Sequence, residues 1–130
     1  MSLETIRLSE RGKQQLITLK KRTGIDNWNV LCRWAFCRSL AEPSTPPKED
    51  IPSDSSVEMS FKVFAGEYQK IYLAILKQRA FNEGKSTENH ELLSELRTHI
   101  HRGISFISNE TKSISDLIEK PIAANKNTAV

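Results

Sequence analysis

Ser9-Glu-Arg-Gly-Lys-Gln-Gln-Leu-Ile-Thr-Leu-Lys-Lys-Arg-Thr-Gly24 is the stretch that decides the fold. Ser9 offers a hydroxyl to the free N–H groups of a helix beginning at Glu10, and an acid at that position suits the positive end of the helix dipole. Gly12, Leu16, Leu19 and Thr23 then recur at steps of four, three and four, with Ile17 adjacent. That is the spacing of one narrow buried stripe on a helix. Gly24 ends it, because glycine takes the left-handed conformation at little cost, while Lys21 and Arg22 in the last turn suit the dipole. The helix is expected over residues 10–23. On its N-terminal side Thr5 to Ser9 alternates, with Ile6 and Leu8 on one face and Thr5, Arg7 and Ser9 on the other. This is the period of a short half-buried strand whose outward side chains could touch DNA.

On the other side, Asp26 or Asn27 can cap a second helix running from Trp28 to Leu40, whose apolar character is interrupted only by Asn29, Arg33, Arg38 and Ser39. A helix apolar most of the way round needs cover on several sides. Two covers are open: a second copy of the chain, with Gly24, Trp28, Leu31, Trp34 and Phe36 as the candidate interface, or the later helices of the same chain. Cys32 and Cys37 lie about 140° apart on this helix. They read as buried small hydrophobes rather than as a disulfide or a metal pair.

Further on, Ala41 to Ser60 carries Pro43, Pro46, Pro47 and Pro52 with several serines, and Glu42, Glu49, Asp50, Asp54 and Glu58 oppose only Lys48. An acidic loop is expected there, lying off any face that binds phosphates or, alternatively, shielding it. Met59 to Val63 reads as a second short strand. Tyr68, Ile71, Tyr72, Ile75, Leu76 and Arg79 mark a helix ending before Gly84, and Ser86 or Thr87 begins another, with Leu93, Leu96, Ile100, Ile104 and Ile107 as its stripe. The expected fold is mainly α: a short strand and two helices resembling the ribbon-helix-helix arrangement, then a two-helix C-terminal half. Residues 1–110 form a single helical domain with 41–60 as its loop. Residues 111–130 form a polar tail whose docking candidates are Ile114, Leu117, Ile118 and Ile122, with its last ten residues mobile.

Charge is concentrated at the front. Within the first forty residues eight cations (Arg7, Arg11, Lys13, Lys20, Lys21, Arg22, Arg33 and Arg38) face three acids, 8 − 3 = +5, whereas the whole chain is +3. A polyanion responds to such concentration. The strong signals of enzyme chemistry are absent: no GxxxxGKS/T phosphate loop, no HExxH and no GxSxG. His90, His99 and His101 read as surface or helix-flank residues, and the carboxylates Glu88, Glu91 and Glu95 as a solvated face. No catalytic residue, metal site or cofactor is expected. No apolar run is long enough to span a bilayer. The opening Met1-Ser-Leu-Glu-Thr5 lacks the blocks of a secretion signal, so cytoplasmic residence is expected.

Thr5-Ile-Arg-Leu-Ser9, Gln14-Gln15-Leu16, the turn Arg22-Thr23-Gly24-Ile25, the Trp-rich Asn27-Trp28-Asn29-Val30-Leu31-Cys32-Arg33-Trp34-Ala35 and the late His101-Arg102-Gly103-Ile104 together resemble the DNA sulfur modification protein DndE family. The likeness runs from about Leu3 to Ile107. It implies a non-enzymatic DNA-binding subunit of the bacterial phosphorothioation machinery, tetrameric and preferring nicked double-stranded DNA. Sulfur transfer, iron-sulfur and ATPase chemistry would belong to the other proteins of the complex. The family's lysine-rich surface maps onto Lys13, Lys20, Lys21 and Arg22, and beyond them onto Arg7, Arg33 and Arg38. The competing reading is a ribbon-helix-helix transcriptional regulator whose Thr5, Arg7 and Ser9 read an operator.

Overall fold

The computed structural model describes residues 5–118. Strand β1 (Ile6–Arg7) leads into helix α1 (Glu10–Thr23) and helix α2 (Trp28–Leu40). After the proline-rich loop come strand β2 (Glu58–Met59), the short helix α3 (Phe61–Ala65), a single 3₁₀ turn (Gly66–Tyr68), helix α4 (Gln69–Asn82) and helix α5 (Asn89–Glu110). The mainly α fold is the one expected, but the strand expected over Met59 to Val63 ends at Met59, and Phe61–Ala65 is helical, its first turn capped by Ser60 Oγ. The first two helices begin and end where capping and periodicity put them. Ser9 Oγ accepts from Gly12 N at 3.0 Å, and Gly24 closes α1 with φ 75° and its N–H on the Lys20 carbonyl. The buried residues of α1 are Gly12, Leu16, Leu19 and Thr23.

The sheet, however, is made within one chain. β1 pairs antiparallel with β2, Ile6 opposite Met59 and Arg7 opposite Glu58. Backbone groups alternate between the two edges of a strand. The Arg7 carbonyl, on the edge away from β2, accepts from Arg97 Nε at 3.0 Å. Of the three residues expected to read base edges, Thr5 is exposed, Ser9 is buried and caps α1, and Arg7 is ion-paired to Glu58. The strand–helix–helix order therefore stands, with β2 of the same chain as the partner of β1.

α5 is the pillar of the molecule. Leu92, Leu96, His99, Ile100, Gly103, Ile104 and Ile107 are its buried residues. The stripe runs through Leu92 rather than Leu93, which is only partly buried. It crosses α2 so closely that a Cβ on Gly103 would lie 1.7 Å from the Ala35 carbonyl oxygen. Here glycine is required by backbone contact rather than by its own dihedrals. Leu31, Cys32, Ala35 and Phe36 are fully buried on the facing side of α2. Of the two covers open to α2, the chain's own helices take the greater part, and Leu31 and Phe36 have no surface left for a second copy. Cys37, expected inside, is exposed.

The acidic loop is fixed, and by arginines. Arg97 donates to the carbonyls of Ile51 and Pro52, Arg79 to those of Leu40, Glu42 and Ser44, and Arg102 to those of Ser39 and Ser44. Its far end reaches the start of α1, where Asp54 Oδ1 accepts from Glu10 N at 2.8 Å. The loop thus abuts the N-terminal turn of α1. Beyond α5, Thr111 and Leu117 are buried while Ile114 and Ile118 are exposed. Ile122 and the remainder of the expected tail lie outside the described residues. Replacing Gly103 by alanine is expected to lower stability by about 3 kcal/mol through overpacking against Ala35. Denaturant melts of G103A and the parent test this, and an unchanged midpoint would contradict the close crossing.

Candidate nucleic-acid interface

α1 carries Arg11, Lys13, Lys20, Lys21 and Arg22, and Glu10 is its only acid. At about 100° per residue Lys13 and Lys20 share one flank of the buried stripe, Arg11 and Arg22 the opposite flank, and Lys21 points outward between them. The apolar stripe that docks α1 on α5 thus turns every cation of the helix toward solvent or its margins. Lys13 Nζ donates to Ser56 Oγ at 3.0 Å. Lys20 Nζ sits 3.5 Å above the ring of Trp28, across the turn at Gly24. Arg11 and Lys21 are exposed. Arg22 donates to the carbonyls of Ser108 at 3.0 Å and Thr111 at 3.3 Å, where the C-terminal end of α5 favours a cation.

The other three arginines singled out from the sequence are held by the fold. Arg7 is ion-paired to Glu58 and donates to the Ser55 carbonyl. Arg33 donates to the Phe64 carbonyl at 3.0 Å. Arg38 grips Glu110 with two nitrogens at 3.0 and 3.1 Å and lies 4.7 Å from the centre of the Phe106 ring. These three are not brought together with the α1 cations on one face. Of the candidate interface residues on or beside α2, Gly24 is exposed, Trp28 and Trp34 are half-buried, and Leu31 and Phe36 are enclosed. The large apolar side chains that remain exposed lie mostly on α3 and α4: Val63, Tyr68, Ile71, Ile75 and Phe81.

A second cluster escaped the sequence reading. His99, expected at the surface, is completely buried, and Glu95, expected on a solvated face, lies beside it. His99 Nδ1 meets Ser39 Oγ at 2.8 Å, and its Nε2 lies 3.3 Å from Glu83 Oε2 and 3.8 Å from Glu95 Oε2. Ser39 Oγ accepts in turn from Arg102 Nε. Burial raises the Glu95 pKa to about 7, with a hydrogen bond and like charge from Glu83 adding to it. Burial also disfavours the Glu83 carboxylate, but hydrogen bonds from Glu95 and Arg79 and the nearness of His99 bring its pKa below the usual value. Burial lowers the pKa of His99, against the pull of Glu83. Glu83, Glu95 and His99 present a metal-sized set of donors. Arg79 at 2.8 Å from Glu83 and Lys85 at 3.9 Å from Glu95 already supply the positive charge a cation would bring. The cluster is built to hold a proton and to tie α2, α4 and α5 together. The signal for it was His99 standing four residues after Glu95 inside the stripe of Leu92, Leu96 and Gly103.

His101 is also drawn inward. Its Nε2 accepts from Ser9 N at 3.0 Å, and its Nδ1 is 2.7 Å from the Arg97 carbonyl. A carbonyl can only accept, so Nδ1 carries the proton and the ring is the neutral tautomer. Burial lowers its pKa accordingly.

A model of the family described as DNA sulphur modification protein DndE matches residues 5–115. No curated protein matches the chain. Among solved structures, DndE from Escherichia coli B7A, involved in DNA phosphorothioation modification, is similar with a TM-score of 0.67 and 25% identity, over 81% of this chain and 96% of that one. A DndE mutant with two glycines changed to lysine, involved in DNA phosphorothioation, is similar in fold with a TM-score of 0.64 and 23% identity, over 82% of this chain and 97% of that one.

The Glu95 assignment has a pH signature. A carboxyl whose folded pKa is raised contributes stability below its unfolded value, and that contribution is lost as pH rises through the folded value. The stability of Glu95→Gln relative to the parent is therefore expected to rise with pH from 4.5 to about 7 and level off above. Denaturation of both proteins across that window measures it, and a flat difference would remove the raised Glu95 pKa.

Proposed function

The chain belongs to the DndE family of DNA sulphur modification proteins, and on that premise we propose that it is a non-catalytic subunit of a phosphorothioation system that holds double-stranded DNA along the outer face of α1. The observation that carries this reading is five cations on one 14-residue helix whose only acid is Glu10. Such cations neutralise phosphates and release condensed counterions, a gain indifferent to base sequence. Lys13, Lys20 and Lys21 make the principal contacts, while Arg11 and Arg22 lie on the opposite flank of the helix. Arg7, Arg33 and Arg38 serve the fold in this reading.

Preference for nicked duplex, which the family likeness implies, is part of the proposal. A duplex broken in one strand bends at the break at reduced cost, so its phosphates can follow a convex helix. The chain works in the cytoplasm beside the other proteins of the modification complex. It does so as a homo-oligomer, a tetramer by the likeness. With Leu31 and Phe36 enclosed, the face that meets a second copy in this reading is that of Tyr68, Ile71 and Ile75, which are 56%, 56% and 41% exposed and fall at helical spacing. Burying such side chains is the usual drive for self-association.

Replacing Lys13, Lys20 and Lys21 together by alanine is expected to weaken binding to nicked duplex. It should also flatten the slope of log affinity against log salt by about 0.9 per lost phosphate contact. Titrations at several salt concentrations test it, and unchanged slope and affinity would refute α1 as the contact surface. Separately, Ile71→Glu combined with Ile75→Glu is expected to yield a smaller species in light scattering. A mass equal to the parent's would exclude that face from the oligomer contact.

A further inference from the structure

The α1–α2 turn combines two kinds of group that recognise different parts of a nucleic acid. Trp28 is the first residue of α2 and is packed partly against the core, which holds its indole in place. The ammonium of Lys20, from the last turn of α1, lies 3.5 Å above that ring. Lys21 beside it is exposed, and the space above Gly24 is open, with nothing within 4 Å of where a Cβ would stand. Asp26 is exposed in the turn itself, and no acid occupies the first turn of α2.

An aromatic platform flanked by lysines is the arrangement that holds unstacked bases, because every base has a π-face and every nucleotide a phosphate. We infer that Trp28 is a stacking residue for an unpaired base, uncovered when Lys20 exchanges the indole face for a backbone phosphate. A cation–π contact between two half-buried groups still open to solvent is weak enough for that exchange, since a phosphate offers a full charge in place of a ring quadrupole. A fully paired duplex keeps its bases stacked inside and has nothing to offer Trp28. DNA with a gap or a frayed strand end does. The inference rests on the reading of α1 as the phosphate-binding helix and adds to it what the surface distinguishes. Phosphates set how tightly DNA is held, and Trp28 adds to the preference for a bendable break a preference for an unpaired base.

The test uses the full chain and three DNA probes of one sequence: intact duplex, the same duplex with a single-nucleotide gap, and single strand. Trp28→Leu is expected to lose about tenfold in affinity for the gapped and single-stranded probes while binding intact duplex as the parent does. Trp28→Phe, which keeps a ring, is expected to restore most of that loss. In a Trp34→Phe background, which leaves Trp28 as the only tryptophan, its fluorescence should be quenched by the gapped and single-stranded probes and not by intact duplex. Equal losses on all three probes, no loss on any, or quenching that ignores the gap would each overturn the stacking role. The variant lacking Lys13, Lys20 and Lys21 separates the two levels. If it binds every probe like the parent, the reading of α1 fails. If it loses all binding while Trp28→Leu loses none, only the role of Trp28 fails.

Discussion

The contact of Gly103 with the backbone of Ala35 is the constraint on which the rest of the molecule depends. It sets α5 against α2 at a distance that only a residue without a side chain allows. Phe36, Leu31 and Cys32 on one helix and Ile100, Ile104 and Leu96 on the other then close the core around the crossing. With α5 fixed, α1 is docked on its other side through Leu16 and Leu19 and through His101, which holds the Ser9 amide at the start of α1. The cations of α1 face outward because this stripe faces inward.

Charge is divided by the same geometry. Arg79, Arg97 and Arg102 are drawn to backbone carbonyls, where a planar guanidinium can satisfy several acceptors at once, and they hold the proline-rich loop against the helices. Arg33 and Arg38 do similar work between α2 and its neighbours. Lysine, a point charge on a flexible stem, lacks that fork and is left on the outside of α1. The division explains how a chain with a net charge of only +3 can keep one helix strongly basic.

Local signals made α1 and α2 legible. Ser9, Gly24 and the stripe of Gly12, Leu16, Leu19 and Thr23 act within a few residues, so no partner was needed to read them. The lysines on α1 were legible for the same reason. The inward turn of His99 and Glu95 was not, because their partners Glu83, Ser39 and Arg102 come from elsewhere along the chain. The partner of β1 was likewise hidden: a strand of alternating residues pairs equally well with another copy or with residues about fifty positions later. The acidic loop carrying Asp54 was expected off the phosphate-binding face because its charge repels phosphates, yet hydrogen bonds from Glu10 N to Asp54 and from Arg97 to the Ile51 and Pro52 carbonyls decided where it lies.

By itself the sequence determined where the first two helices begin and end, which face of α1 is apolar, where positive charge is dense and which family the chain resembles. Those properties rest on backbone capping, on a 3.6-residue period and on side-chain identity, all of which act over one or two turns. Only the tertiary structure decided that α2 is covered mainly by α5, that Arg7, Arg33 and Arg38 are held by internal partners, and that Lys20 rests on Trp28. Each of these depends on which residues distant in sequence come within a few ångströms of one another, and no local pattern encodes that distance.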